Sequence, residues 1–230
     1  MNCLTLFSNV GIDEIYLKDQ GINVVVANEL EKDRAEFYKK IHPNVNMIHG
    51  DINDKKIFNE IVKSAQEKKC ELVIATPPCQ GMSIANAARA KKDDPRNSLI
   101  KSVVRIVQKI KPKFILIENV TGMQKTYVKC DDFADVNEVI ELLEEENKNK
   151  ETSSDNDYLA VIESLDTIKA STYNTINIMD YLKSSLPDQY QIRSKVLNAS
   201  DYGTPQNRKR LIVLISKDGW DHPKPTTPDT

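Results

Sequence analysis

Short runs of apolar and β-branched residues alternate with longer stretches of helical periodicity, and this alternation limits the fold more than any other feature of the chain. Cys3–Phe7 reads as a first strand and Ile12 to Asp19 as the helix after it. Strand Ile22–Ala27 precedes helix Lys32 to Lys40, and strand Val45–His49 precedes helix Lys55 to Lys68. Strand Glu71–Ala75 is followed by a Pro-Pro loop, helix Ser98 to Ile110 and strand Lys113–Ile117. A further helical stretch, Tyr158 to Leu186 with a break near Thr172, leads to strands Gln191–Leu197 and Arg210–Ile215, separated by a turn at Asp201-Tyr202-Gly203. The pattern predicts an α/β protein with a doubly wound, mostly parallel, seven-stranded sheet. Its ligand sites are expected in the loops after the strands' carboxyl ends.

Composition enters as a limit on partners. Lys and Arg number 32 against 34 Asp and Glu, a net charge of −2, and 40% of residues are hydrophobic, enough for one sizeable core. The charge is unevenly placed. Residues 131–157 hold eleven acids and two lysines, a local sum of −9, so the remaining residues sum to +7. A mildly basic body suits a polyanionic partner, and the acidic stretch, about 129–157, reads as a variable insertion with a solvated surface. No run of about 18 apolar residues is present, and the N-terminus lacks the pattern of an export signal, so a cytoplasmic protein without membrane or metal partners is expected. Cys3, Cys70, Cys79 and Cys130 form no CxxC pair, and His42, His49 and His222 have no metal-ligand spacing. Any important cysteine acts alone.

One cysteine stands in an unusual place. In Ala75-Thr76-Pro77-Pro78-Cys79-Gln80-Gly81 an apolar strand ends and two prolines stiffen the loop, so Cys79 is presented at the sheet's carboxyl edge with little freedom. It is either a structural thiol or a nucleophile. Strand Lys113–Ile117 runs into Glu118, an acid at the same edge, which either caps a helix or lines a site. A thiolate beside a carboxyl that can hold a proton is a pair suited to attack on an electron-poor ring.

These residues resemble the DNA cytosine-5 methyltransferases. Pro77-Pro78-Cys79-Gln80-Gly81-Met82-Ser83 is similar to that family's catalytic loop and Glu118-Asn119-Val120 to its second catalytic motif. The segment from Asn198 to Arg210 resembles its Gln-x-Arg-x-Arg region, with Gln206, Arg208 and Arg210 in the matching places. Leu6 to Gly11 resembles its cofactor loop, and Asn28-Glu29 and Gly50-Asp51 fall where the family places its cofactor acids. The resemblance covers roughly residues 4 to 215.

The resemblance implies a Rossmann-like fold dependent on S-adenosylmethionine, double-stranded DNA as substrate, and a prokaryotic, nucleoid-associated setting. It assigns catalysis to Cys79, Glu118, Arg208 and Arg210. It assigns cofactor contact to Phe7, Ser8, Asn9, Gly11, Glu29, Leu30, Asp51, Ile52, Pro77 and Leu99, and substrate contact to Pro78, Gln80, Gly81, Ser83, Asn119, Val120 and Gln206. Cys79 would add to carbon 6 of a cytosine turned out of the duplex, making carbon 5 nucleophilic, while Glu118 supports a proton at N3. Glu29 and Asp51 keep their plainer alternatives, a helix N-terminal acid and an Asx-turn. A cysteine after the Pro-Pro pair, where amino-methyltransferases carry an aromatic residue, favours ring-carbon chemistry.

Departures and missing parts qualify the match. Asn9, Ile12 and Asn97 stand where the family usually has glycine. Asn tolerates left-handed backbone and Ile does not, so Ile12 bears on cofactor affinity. The family continues past this point into a target recognition region and a segment that closes the cofactor pocket. Residues 1–217 therefore read as a catalytic and cofactor-binding domain, and 218–230 as a Pro-rich tail leading toward that region. The expectation is one subunit of a split enzyme that needs a second polypeptide; a truncated gene or an excised fragment would leave the same piece. A tRNA methyltransferase fragment and an inactive S-adenosylmethionine-binding subunit are the alternative functions.

Overall fold

The computed structural model describes residues 1–78, 99–129 and 175–227. Seven strands form one sheet: β1 (Asn2–Leu6), β2 (Asn23–Glu29), β3 (Asn46–His49), β4 (Leu72–Ala75), β5 (Phe114–Asn119), β8 (Gln191–Asn198) and β9 (Lys209–Ser216), in the order β3-β2-β1-β4-β5-β9-β8. β6 (Tyr127–Lys129) and β7 (Thr175–Asn177) pair antiparallel as a separate small ladder. Within the large sheet only β9 is reversed, pairing antiparallel with both β5 and β8. Strand order turns back on itself between β1 and β4, and the crevice at such a reversal is where doubly wound sheets bind ligands. The fold is thus the expected Rossmann-like one.

Among the described residues, helices cover the sheet unequally. α2 (Lys55–Glu67), α3 (Leu99–Ile110) and α4 (Ile178–Ser185) bury one face, where Leu4, Leu6, Val26, Val73, Ile115 and Ile117 meet Ile61, Ile100, Val104 and Leu182. The opposite face carries α1 (Lys32–Ile41), whose Ala35 and Tyr38 pack on Ala27 and Met47. Beyond it, the side chains of Ile74, Phe114, Leu116 and Ile212 are only half-buried. Among the described residues no helix is long and apolar enough to cross a membrane.

Three expectations change. The helix foreseen over Ile12 to Asp19 is instead a pair of 3₁₀ turns, Ile12–Glu14 and Lys18–Gln20, between the left-handed glycines Gly11 and Gly21. Its outward residues are the apolar Ile12, Ile15 and Tyr16 and its inward one is Glu14, so there is no apolar stripe to hold a helix. β1 stops at Leu6 because Phe7 turns left-handed, with φ 61°. Within the stretch read as helix from Tyr158 to Leu186, Thr175–Asn177 is a strand, and Asn177 begins α4 by accepting a 2.9 Å bond from the Met179 amide. The insertion at 129–157 lies outside the described residues apart from the backbone of Lys129. The Pro-rich tail lies back on the β8–β9 end: Tyr202 donates to the Pro223 carbonyl at 3.0 Å, Thr226 N–H to Asp201 at 2.9 Å, and Asp221 pairs with Arg193.

Candidate active site

The cofactor cleft is assembled at the ends of β1, β2 and β3. Asn28, buried at the end of β2, donates to the carbonyls of Ile48 (2.9 Å) and Gly50 (3.1 Å), tying β2 to the turn that carries Asp51. Glu29 follows, 5% exposed. Its Oε2 accepts from the Asn9 amide at 2.8 Å and its Oε1 from the Glu31 amide at 2.9 Å, so one carboxylate joins the β1 loop to the start of α1. Asn9 itself is left-handed, φ 51°, a conformation that Asn adopts more readily than other non-glycine residues. Asp51 is exposed and its Oδ1 accepts from the Asn53 amide at 2.8 Å in an Asx-turn.

These groups border a cleft of about 420 Å³ lined by Phe7, Asn9, Asn28, Glu29, Leu30, Glu31, Arg34, Gly50, Asp51, Ile52, Thr76, Pro78 and Leu99. Seven of the residues named from sequence for the cofactor, Phe7, Asn9, Glu29, Leu30, Asp51, Ile52 and Leu99, meet there. Ser8, Gly11 and Pro77 are not on its walls. Pro78, named for substrate, is. Arg34 was not foreseen, because an exposed arginine in the first turn of a helix gives no sequence signal of a site.

The Pro-Pro loop is fixed from two sides. Thr76 N–H donates to Leu6 at 3.3 Å and its hydroxyl to the Phe7 carbonyl at 3.2 Å, joining β4's end to β1's. Asn119, 2% exposed at the end of β5, donates through Nδ2 to the Pro77 carbonyl at 3.0 Å and accepts from the Val120 amide at 2.8 Å. Both ends of its amide are therefore engaged by the protein, although sequence reading named it for substrate. Cys79, Gln80, Gly81 and Ser83 lie outside the described residues.

Glu118 points to the opposite face from Asn119. Its Oε1 takes a 3.0 Å ion pair from Arg210 Nε, with the two side chains 30% and 26% exposed. Arg210 is brought there by the antiparallel β5–β9 ladder, in which Glu118 faces Ile212. Burial raises the Glu118 pKa above the usual carboxylate range, and the charges of Arg210 and Arg208 work against the rise. In this pair burial favours the protonated carboxyl and the fixed cation favours the charged one. Arg208 and Gln206 are exposed before β9, and Val120 is half-buried against the core.

Comparisons with known proteins identify the family and the fold. The sequence model of the C-5 cytosine-specific DNA methylase family matches residues 1–153 and 163–229. Type II methyltransferase M1.HgaI of Avibacterium volantium is 37% identical over 225 residues, covering 96% of this chain and 52% of that protein. Type II methyltransferase M.AquIA of Picosynechococcus is 26% identical over 228 residues, covering 97% of this chain and 75% of that protein. The chain thus spans about half the length of the Avibacterium relative. Among solved structures, the Entamoeba histolytica methyltransferase EhMeth superposes with a TM-score of 0.59 at 16% identity over 97% of this chain and 55% of its own. The Schizosaccharomyces pombe Dnmt2 methyltransferase does so at 0.56 and 16%, over 96% of this chain and 50% of its own. With a family match over most of its length and the family's fold, the chain belongs to the C-5 cytosine-specific DNA methylases.

Proposed function

We propose that this chain is the S-adenosylmethionine-binding and catalytic part of a DNA cytosine-5 methyltransferase of the type II restriction–modification kind, acting in a prokaryotic cytoplasm on nucleoid DNA. The observation that carries the reading is the Glu118–Arg210 pair, set at the sheet edge beside a Pro-Pro loop that Asn119 holds in place.

The cleft fits the cofactor in its donor set. Each oxygen of Glu29 uses one lone pair on a backbone amide and keeps another for a ribose hydroxyl, Asp51 stands within the same cleft for an adenine amine, and Phe7, Leu30, Ile52 and Leu99 supply apolar walls. When bound there, S-adenosylmethionine supplies the methyl group.

The protein's work is on the cytosine. Cys79 sulfur forms a bond to carbon 6 as the ring's 5,6 double bond opens, and Glu118 gives a proton to N3, so that carbon 5 becomes the nucleophilic end of an enamine. Arg210 keeps Glu118 oriented and, with Arg208, offers guanidinium donors to the base's O2 and nearby phosphate. After methylation the carbon 5 proton leaves to water, the C–S bond breaks, the double bond re-forms and N3 returns its proton. Gln80, Gly81, Ser83, Val120 and Gln206 are the further substrate contacts of this reading, and Asn119 serves it by holding the loop.

A second polypeptide, carrying target recognition and the closing segment, completes the enzyme. What supports this is the share of the relatives left unmatched: the chain covers 52% of the Avibacterium protein and 75% of the Picosynechococcus one.

The test is covalent trapping on a duplex containing 5-fluorocytosine, with cofactor and the completing polypeptide. A stable adduct with the native assembly, lost in Cys79→Ala, is expected; an adduct with the Ala variant would remove Cys79 from the mechanism. Full turnover by the purified 230-residue chain would remove the second polypeptide.

A further inference from the structure

The loop between β1 and the first 3₁₀ turn has a costly backbone. Phe7, Asn9 and Gly11 are all left-handed, at φ 61°, 51° and 76°, and only one is a glycine. Such geometry persists where the surroundings over-determine it. Part of the restraint is main-chain: Ser8 N–H donates to Asn28 at 3.0 Å and Gly11 N–H to Ser8 at 2.9 Å.

The remainder comes from beneath the loop, from an acid with no part in the methyl-transfer chemistry. Glu14 is 8% exposed. Its carboxylate accepts a hydrogen bond from the Tyr38 hydroxyl on α1, and the hydroxyls of Thr5 and Ser8, bonded to each other at 2.8 Å, lie near enough to favour its charged form. Next to it His42, its ring 4.7 Å from that of Tyr38, bonds the Gly11 carbonyl at 2.9 Å. A carboxyl is expensive to bury, and this one is surrounded by hydroxyl partners drawn from β1, the loop and α1.

We infer that Glu14 is a positioning residue for the cofactor loop: its amide donates to the Gly11 carbonyl at 3.3 Å, its carboxylate takes the Tyr38 hydroxyl, and it sits against the Thr5–Ser8 hydroxyl pair, so that loop and α1 act as one body. α1 touches the loop at both ends. At its start the Glu31 amide shares the Glu29 carboxylate with Asn9, and at its end Tyr38 and His42 reach Glu14 and Gly11. Loosening Glu14 therefore lets the Asn9 amide drift from Glu29, the carboxylate that faces the ribose in the proposed function, on which this inference rests.

The test uses the 230-residue chain with Glu14→Gln, with Tyr38→Phe, with both, and with Ile61→Val, a core change on α2 under the other sheet face, as a stability control. Amide hydrogen exchange at Ser8, Asn9 and Gly11 is followed without cofactor, and S-adenosylmethionine affinity by calorimetry. Glu14→Gln is expected to speed exchange at Asn9 and Gly11 at least tenfold and to weaken binding at least tenfold. Tyr38→Phe, the milder change, gives a smaller shift in the same direction, and the double variant is no worse than Glu14→Gln. Ile61→Val lowers Tm and leaves both readouts as in the native chain. Exchange in Glu14→Gln within twofold of native, or an equal loss in Ile61→Val, overturns the inference. Native chain that binds no cofactor even with the completing polypeptide added, while exchange responds as expected, overturns the cofactor reading and leaves the positioning role standing.

Discussion

Asn119 donates from Nδ2 to the carbonyl of Pro77 across 3.0 Å, so the end of β5 holds the loop that leads, two residues later, into Cys79. The amide is 2% exposed and is shielded from competing solvent. Replacing it by Ala leaves the Pro77 carbonyl and the Val120 amide without their partner, at a cost of about 1–3 kcal/mol. The expected result for Asn119→Ala is a lower midpoint in urea and a slower alkylation of Cys79 by iodoacetamide, measured against the total thiol count. Alkylation at the native rate would show that the loop holds its shape without Asn119.

The Glu118 carboxyl sets a pH dependence whose sign is fixed. Its folded pKa is raised, by burial first, and is pulled back by Arg210 and Arg208. Folding therefore favours the protonated form. The contribution is fully present below the unfolded pKa of about 4.3 and is lost as pH rises through the folded value. Glu118→Gln should flatten the stability profile across that window, and Arg210→Gln, by removing an opposing charge, should extend the decline to higher pH. Urea unfolding from pH 4 to 8 checks both; an unchanged slope in Glu118→Gln would mean that another group titrates there.

Much of this arrangement was legible from the chain because it depends on local patterns. The apolar runs of β2, β4, β5 and β9 announce buried strands, and the residue after each is where a parallel sheet displays its chemistry, so Glu29, Glu118 and the Pro-Pro loop could be found in sequence. What escaped depends on partners distant in the chain. Glu14 lies in a stretch read as helix and carries no signal of its own until Tyr38, 24 residues on, is folded against it. The tie from Asn119 to Pro77, 42 residues earlier, is likewise invisible until β5 lies beside the loop. β7 failed for another reason: Thr175–Asn177 is too short to show alternation and draws its order from Tyr127–Lys129.

Gly11 and Gly21 have nearly the same backbone, φ 76° and 74°, and differ in their surroundings. A Cβ on Gly11 would lie 2.6 Å from the His42 ring and 2.7 Å from that of Tyr38, whereas one on Gly21 meets nothing within 4 Å. Gly21→Ala should cost only the conformational strain, about 1 kcal/mol. Gly11→Ala adds overpacking against two rings and should cost about 1–3 kcal/mol more. Equal losses in denaturant midpoint would show that the rings give way.

Glu29 and Asp51 border the same cleft but are held differently, and the difference predicts unequal roles. Glu29 is 5% exposed with both oxygens fixed by backbone amides, so its remaining lone pairs are aimed before any ligand arrives. Glu29→Asp shortens the reach by one methylene, cannot serve the Asn9 and Glu31 amides together, and should weaken S-adenosylmethionine binding by at least tenfold while also lowering Tm. Asp51 is exposed, and its turn bond to Asn53 can be replaced by water. Asp51→Asn, which preserves that bond, should weaken binding several-fold and leave Tm unchanged. Calorimetry with the two variants in parallel decides the matter: a larger loss in Asp51→Asn than in Glu29→Asp would mean that the adenine end, and not the ribose, anchors the cofactor.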